Sequence, residues 1–252
     1  MKTAVVTGGG SGIGKRTVER LIDQGWTVWA LDLSPTVLET QAALFDNTGR
    51  FRSCACDVSS QESVRNAFSS IAKETAKIDA LICSAGVLHT GALEDQSLEQ
   101  VDRLLGVNLK GPWLCVLEAL PLLREDASPA NPSRVVIVGS IGGIRPKVGA
   151  GFYAASKAAI HVIAGILAVE LAPDGILVNV VAPGTVETPM VQHLLNTAGA
   201  AYKPSGNSPL GRLASPDDVA DVIEFFLSDS AKYVNGTVLP VDGGTRAAFN
   251  NK

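Results

Sequence analysis

Tyr153 and Lys157 stand four residues apart in "YAASK", in a segment of helical spacing, so their side chains share one helix face. A tyrosine beside a lysine is common on any helix surface and by itself needs no function. Here, however, the two are polar groups in the apolar run "YAASKAAIHVIAGILAVELA". A nearby ammonium favours phenolate over phenol. Bringing a tyrosine from its ordinary pKa near ~10 to about 7 takes roughly 4 kcal/mol, within reach of one cation in a partly dry cleft. The pair can then pass a proton to or from a substrate oxygen. Ser140 ends an apolar run that reads as a buried strand, at the end where open parallel sheets bind ligands. Its hydroxyl can donate to the same oxygen.

The elements that must hold these groups are short apolar runs bounded by glycine, asparagine or aspartate. They are Lys2–Thr7, Trp26–Asp32, Phe51–Cys56, Ile78–Ser84, Arg134–Ser140, Ile176–Val181 and Thr237–Val241. Helical spacing fills the gaps, as in Gln61–Thr75, Leu98–Leu123 and Tyr153–Leu171. This alternation predicts an α/β fold, a doubly wound parallel sheet of seven strands with helices on both faces. Asp126–Ser133 is too short for an interdomain linker, so residues 1–252 read as a single domain. Ser215-Pro216-Asp217-Asp218 spells a helix start, and Pro173 with Gly175 ends the helix begun near Tyr153. That helix is apolar almost all round, which predicts burial of its outer face, with a second subunit as the leading cover.

Composition narrows the function classes. A net charge of −4 offers no basic field for nucleic acid or an anionic membrane. Four scattered cysteines fit reduced, packed thiols better than a disulfide framework or a metal site. The apolar stretch before the first glycines is too short for a signal peptide. Ala158–Ala172, interrupted by His161 and Glu170, falls short of the ~20 residues of a membrane span. A cytoplasmic protein is expected.

The glycine-rich "TGGGSGIGKRT" is built to hold phosphate and admits two readings. Gly9–Lys15 is one residue short of a triphosphate loop, which needs serine or threonine after the lysine to ligate Mg²⁺. Arg16 stands there instead, and Thr17 comes one place late, about 100° round the helix. The dinucleotide reading keeps its parts: the glycines follow a strand and open a helix whose amides favour pyrophosphate. Asp32 lies near the ~20-residue distance at which an acid reaches the adenosine ribose. Its carboxylate repels a 2′-phosphate, and Leu33 and Ser11 supply no compensating cation. NAD is therefore expected over NADP.

Taken in order, these motifs resemble the short-chain dehydrogenase/reductase family over nearly the whole chain. "TGGGSGIG" is similar to the family's T-G-x-x-x-G-x-G loop, "SAG" to its N-A-G segment, and "VNLKG", "VGSIGG" and "YAASK" to its catalytic motifs. "PGTVET" and "VDGG" resemble its nicotinamide-side loop and closing segment. The resemblance implies Tyr153 as acid/base, Lys157 as its pKa-lowering partner on the nicotinamide ribose, Ser140 polarising the carbonyl, and Asn108 supporting a proton-relay water. It implies cofactor contacts from the loop residues Gly8, Ser11, Gly12, Ile13 and Gly14. Asp32, Leu33, Asp57 and Val58 would meet the adenosine. Ser84, Ala85 and Gly86 would lie beside the cofactor, with Pro183, Gly184, Val186 and Thr188 on the nicotinamide side. Serine replaces the family's usual asparagine at Ser84. The Y-x-x-x-K spacing departs from the family's enoyl reductases.

The same comparison implies a substrate lid at about residues 185–211. His89, Ile141, Ile144, Phe152, Met190 and Leu194 are the expected pocket wall, largely apolar and without a fixed charge unless Lys147 or His89 turns inward. His161 and His193 are more simply structural or solvated. Some segments also look like bacterial dihydrodiol dehydrogenases, which makes cyclic alcohols candidates. The function expected is an NAD(H)-dependent oxidoreductase interconverting a secondary alcohol and its ketone, as a homodimer or homotetramer, without metal. A 3-oxoacyl-carrier reductase using NADPH and a catalytically silent NAD-binding module are the alternatives. A phosphate-transfer enzyme is the remotest, because Arg16 breaks the magnesium site.

Overall fold

The computed structural model describes residues 2–45, 48–197 and 208–247, with side chains of α7 described as far as His193. Seven parallel strands form one sheet in the order β3-β2-β1-β4-β5-β6-β7. They are β1 Thr3–Thr7, β2 Thr27–Asp32, β3 Phe51–Ala55, β4 Ala80–Cys83, β5 Ser133–Val138, β6 Ile176–Pro183 and β7 Val238–Val241. All seven apolar runs are strands, with ends that differ by one or two residues from those the sequence suggests. Five central strands are covered on both faces, so their residues need not alternate. Two cores result. One gathers Val5, Leu31, Leu81 and Ile137 under α3, α5 and α6. The other gathers Val6, Ala30, Ile82 and Val136 under α1 and α8.

The helices are α1 Gly12–Asp23, α2 Pro35–Phe45, α3 Gln61–Glu74, α4 Leu98–Leu105, α5 Gly111–Arg124, α6 Gly151–Glu170, α7 Pro189–Thr197 and α8 Pro216–Leu227. One expectation needs correction. Leu98–Leu123 is not a single α-helix, because Gly106–Lys110 forms a π turn between α4 and α5. Such a turn widens the helix by one residue and re-aims what it carries, here the buried Asn108. At α8 the legible start is a capping box: Ser215 accepts from Asp218 N–H while Asp218 accepts from Ser215 N–H. The Arg212 guanidinium holds the Asp218 carboxyl well below the usual carboxylate range. Arg16 and Arg20 of α1 reach across to α8, with Arg16 Nε 2.7 Å from Asp217 and Arg20 Nη1 2.6 Å from Asp221.

α6 begins two residues before Tyr153, at Gly151, and ends at Glu170. At 20 residues it is long and apolar enough to cross a membrane by length and composition. It lies instead against the sheet, burying Ile160, Ala164, Leu167 and Ala168. Its outward residues Val162, Ile166 and Val169 are exposed.

Candidate active site

The sheet's connections diverge between β1 and β4, which leaves a crevice beyond the strands' carboxyl ends. A cavity of about 610 Å³ fills it, within the ~300–1,000 Å³ typical of ligand sites.

At its centre the glycine loop joins β1 to α1. Gly8 and Gly12 have φ of +64° and +52°, a region L side chains rarely adopt. Gly14 packs under the turn: a Cβ there would lie 2.1 Å from the Gly8 carbonyl oxygen. Gly14 is thus a spacer and does not line the cavity, whereas Gly8, Ser11, Gly12 and Ile13 do. Ser11 is the N-cap of α1 but makes no side-chain capping bond, so its hydroxyl does not occupy the first-turn amides. Thr17 bonds back to Ile13 O at 2.8 Å. With Arg16 held by Asp217, neither residue that follows Lys15 reaches a phosphate through this loop.

The end expected to meet adenosine lies at β2 and β3. Asp32 Oδ2 accepts from Gly10 N at 2.9 Å and Oδ1 from Ser34 N at 3.1 Å. The carboxylate is thereby aimed along the loop, with Leu33, Asp57 and Val58 beside it on the cavity wall. Asp57 Oδ1 accepts from Ser59 N–H and its hydroxyl, which holds that turn closed. Ser84, Ala85 and Gly86 line the floor after β4. The opposite side is made by Pro183, Gly184, Val186 and Thr188, and the Thr188 side chain sits against Gly12. These residues fit a dinucleotide: glycines leave room for close backbone approach, a helix N-terminus awaits an anion, and a carboxylate stands one strand away.

At the other end Ser140, Tyr153 and Lys157 line the same cavity. Ser140 caps a 3₁₀ turn, and its Oγ accepts from Gly142 N–H at 3.0 Å, which leaves the hydroxyl proton to donate. Gly142 lies between Ser140 and the Tyr153 ring; a Cβ there would sit 3.3 Å from Ser140 Oγ and 3.6 Å from Tyr153 Cε1. Lys157 is buried, its Nζ donates to Val138 O at 2.9 Å, and it stands 6.0 Å from the Tyr153 ring centre. Burial lowers its pKa to about 8. Asn108 does not line the cavity. Its Oδ1 accepts from Val87 N–H and its Nδ2 donates to Val87 O, each at 2.9 Å, and Nδ2 also reaches Ser156 Oγ. It clamps the chain after β4 from behind, with Gly86 between it and Lys157.

Several wall assignments need correction. Ile141 and Met190 line the cavity, but His89, Ile144 and Phe152 do not. The loop from β5 to α6 turns Ile144 outward, so residue type misleads there. Leu194 lies outside the described side chains, as does most of the expected lid, and His193 is exposed. The wall is not free of charge: Arg145 and Lys147 both line it.

His161, one turn beyond Lys157 on α6, is built into this scaffold. Its Nε2 accepts from Ser140 N–H at 3.4 Å. A Cβ on Gly139 would lie 2.3 Å from that nitrogen, and one on Gly143 would lie 2.9 Å from Cε1, so two glycines cradle the ring. Desolvation, helped by the Lys157 charge, lowers its pKa to about 4 from 6.5. Between those values the unfolded chain binds the proton and the folded one does not, so stability is lost as pH falls from about 6.5 through about 4. In His161→Gln this contribution is absent. The variant's stability, measured by urea unfolding, is expected to vary less than wild type's across that window; equal slopes would contradict the buried neutral imidazole.

Comparisons with known proteins show the family and the fold to which this cavity belongs. A family model described as enoyl-(acyl carrier protein) reductase matches residues 8–246. Cyclopentanol dehydrogenase of a Comamonas species is 33% identical over 247 residues, covering 98% of this chain and 97% of its own. The Pseudomonas aeruginosa RhlG/NADP active-site complex is similar at TM-score 0.89 and 31% identity, covering 97% and 96% of the two chains. A 3-ketoacyl-(acyl-carrier-protein) reductase of Brucella melitensis complexed with NADH is similar at TM-score 0.88 and 30% identity, covering 97% and 98%. The sheet and its crevice are those of a Rossmann-type dinucleotide fold. The chain belongs to the short-chain dehydrogenase/reductase family and is a nicotinamide-dependent oxidoreductase acting between alcohol and carbonyl groups.

Proposed function

We propose that the protein is an NAD(H)-dependent secondary-alcohol dehydrogenase or ketone reductase. The observation that carries this is the meeting of Ser140, Tyr153 and Lys157 at one end of a cavity whose other end holds Asp32. A bound nicotinamide supplies or removes the hydride at the carbinol carbon. Tyr153 gives its phenolic proton to the carbonyl oxygen in reduction and takes it back in oxidation. Ser140 donates a second hydrogen bond to that oxygen, where charge develops. Lys157 keeps the tyrosine's charged form accessible and holds the ribose side of the cofactor. Asn108 holds the floor on which Lys157 stands.

NAD is favoured over NADP because a 2′-phosphate would meet the Asp32 carboxylate. The nearest cations of α1 are otherwise engaged, Lys15 with Glu19 at 3.9 Å and Arg16 with Asp217. Thermal-shift measurements with NADH, NADPH and ATP–Mg²⁺ test this. At ~100 times its dissociation constant a ligand adds about 2.7 kcal/mol, raising Tm by about 5–10 °C. NADH is expected to give that shift at far lower concentration than NADPH. A shift mainly with NADPH overturns the cofactor preference and favours the 3-oxoacyl-carrier reductase, a reading that the Brucella relative's name supports. The exposed Trp113 and Leu117 of α5, with Val162, Ile166 and Val169 of α6, support a homo-oligomer closing over that face.

A further inference from the structure

The carboxyl end of β5 is finished by side chains, because the sheet stops short of it. Its last ladder bond is Gly139 N–H to Val181 O at 2.8 Å, after which the chain turns into the 3₁₀ segment Ile141–Gly143. Backbone groups at that point still need partners. α6 supplies two. Lys157 Nζ donates to Val138 O at 2.9 Å, and His161 Nε2 accepts from Ser140 N–H at 3.4 Å. Four residues apart on one face of α6, a donor and an acceptor thus hold the two residues that flank Gly139.

The imidazole is fitted to that place. A Cβ on Gly139 would crowd Nε2 itself, at 2.3 Å. Gly143 lets the turn lie directly on α6, since a Cβ there would come within 2.7 Å of Ala158 N. An aliphatic side chain, like those of Ile160 and Ala164 on the same helix, would fill the space but could accept nothing. Desolvation and the Lys157 charge both disfavour a second proton on the ring, so one nitrogen keeps its lone pair. With Nε2 on the Ser140 amide, the ring proton sits on Nδ1. Ser140 is therefore held twice. His161 fixes where its backbone stands, and Gly142 N–H fixes its Oγ.

We propose that His161 is a positioning residue for the reaction: its Nε2 sets the backbone of Ser140 and so the aim of the hydroxyl that meets the substrate oxygen. The inference rests on the dehydrogenase reading above and adds a residue to its machinery. His161 is not on the cavity wall, so it acts through Ser140 and not on the substrate. A displacement of ~1 Å at a reacting group can cost about 10²-fold in rate. The loss falls on kcat more than on KM, because the serine's bond strengthens as charge develops on the oxygen.

The test compares His161→Gln with His161→Met, side chains of similar length of which only glutamine carries a strong acceptor. Reduction of cyclic ketones and 3-oxo esters, led by cyclohexanone and ethyl acetoacetate, is followed with NADH and with NADPH. His161→Met is expected to lower kcat by about 10–100-fold, with KM and cofactor affinity within about threefold of wild type. His161→Gln is expected to keep kcat within about threefold. Hydrogen exchange at the Ser140 amide reads the bond without turnover. It should be slow in wild type and His161→Gln and about tenfold faster or more in His161→Met. Gly139→Ala, which leaves the imidazole in the chain but crowds Nε2 from the amide, is a second route to the same loss of kcat. It decides the matter if His161→Met does not fold. Wild-type kcat in either variant overturns the proposal, as do equal losses in His161→Met and His161→Gln, which would make the ring a space-filler. Those results leave the dehydrogenase standing. A wild-type protein that binds NADH but reduces none of the compounds removes the dehydrogenase reading, and the positioning role falls with it.

Discussion

Tyr153→Phe is expected to lower turnover by about 10³-fold, within the range that a positioned acid–base group contributes, with NADH affinity changed by no more than about twofold. The ring keeps its place at the start of α6, so packing is not the cause. Lys157 stays on the Val138 carbonyl and Ser140 keeps its bond from Gly142 N–H, so the rest of the site survives. What disappears is the proton that must reach the substrate oxygen as the hydride arrives. Ser140 can polarise that oxygen, but a serine hydroxyl is too weak an acid to replace the phenol. Steady-state kcat, with NADH titration by fluorescence, separates the two effects. Near-normal turnover in this variant would remove Tyr153 from the mechanism.

Gly14→Ala is expected to weaken NADH binding by about 100-fold or more and to lower stability by roughly 1–3 kcal/mol, the usual cost of forcing extra volume into packed structure. The new methyl would lie 2.1 Å from the Gly8 oxygen and 2.8 Å from its carbonyl carbon. Both are backbone atoms, so no side chain can swing aside. Gly8 cannot retreat either, because it is already wedged against Ala85, where a Cβ of its own would come within 2.8 Å of the amide nitrogen. The loop must therefore open, and with it the approach to the α1 amides. Isothermal titration with NADH and thermal unfolding check the two parts. A variant that binds NADH like wild type would show that the loop is not the pyrophosphate cradle.

The strands were legible because burial on both faces leaves short uninterrupted apolar runs, and the punctuating glycines and aspartates mark their ends. The start of α8 was legible for a local reason, since Ser215 and Asp218 cap each other without help from the rest of the chain. The π turn was not. Helical spacing runs on through Gly106–Lys110, and nothing local marks that Asn108 will bond the Val87 backbone from a π turn. The wall of the pocket was the least legible part. Residues 141–150 carry glycine and proline but no periodicity, so nothing local says that Lys147 turns in while Ile144 and Val148 turn out. The fit of His161 was hidden for a related reason. Gly139 and Gly143 stand in "VGSIGG" with no side chain to signal a partner, and their role in making room for the imidazole appears only when α6 is laid against β5.

Hydride transfer with NAD(H) at Ser140, Tyr153 and Lys157 leaves an isotopic signature in the product. NADH deuterated at its transferable position, incubated with a panel of neutral and acidic ketones, tests it most directly. Mass spectrometry of the alcohol products is expected to find one deuterium on the carbinol carbon with wild-type protein and almost none with Tyr153→Phe. Tight NADH binding without label in any product would contradict the claim and leave a nicotinamide-binding module in its place.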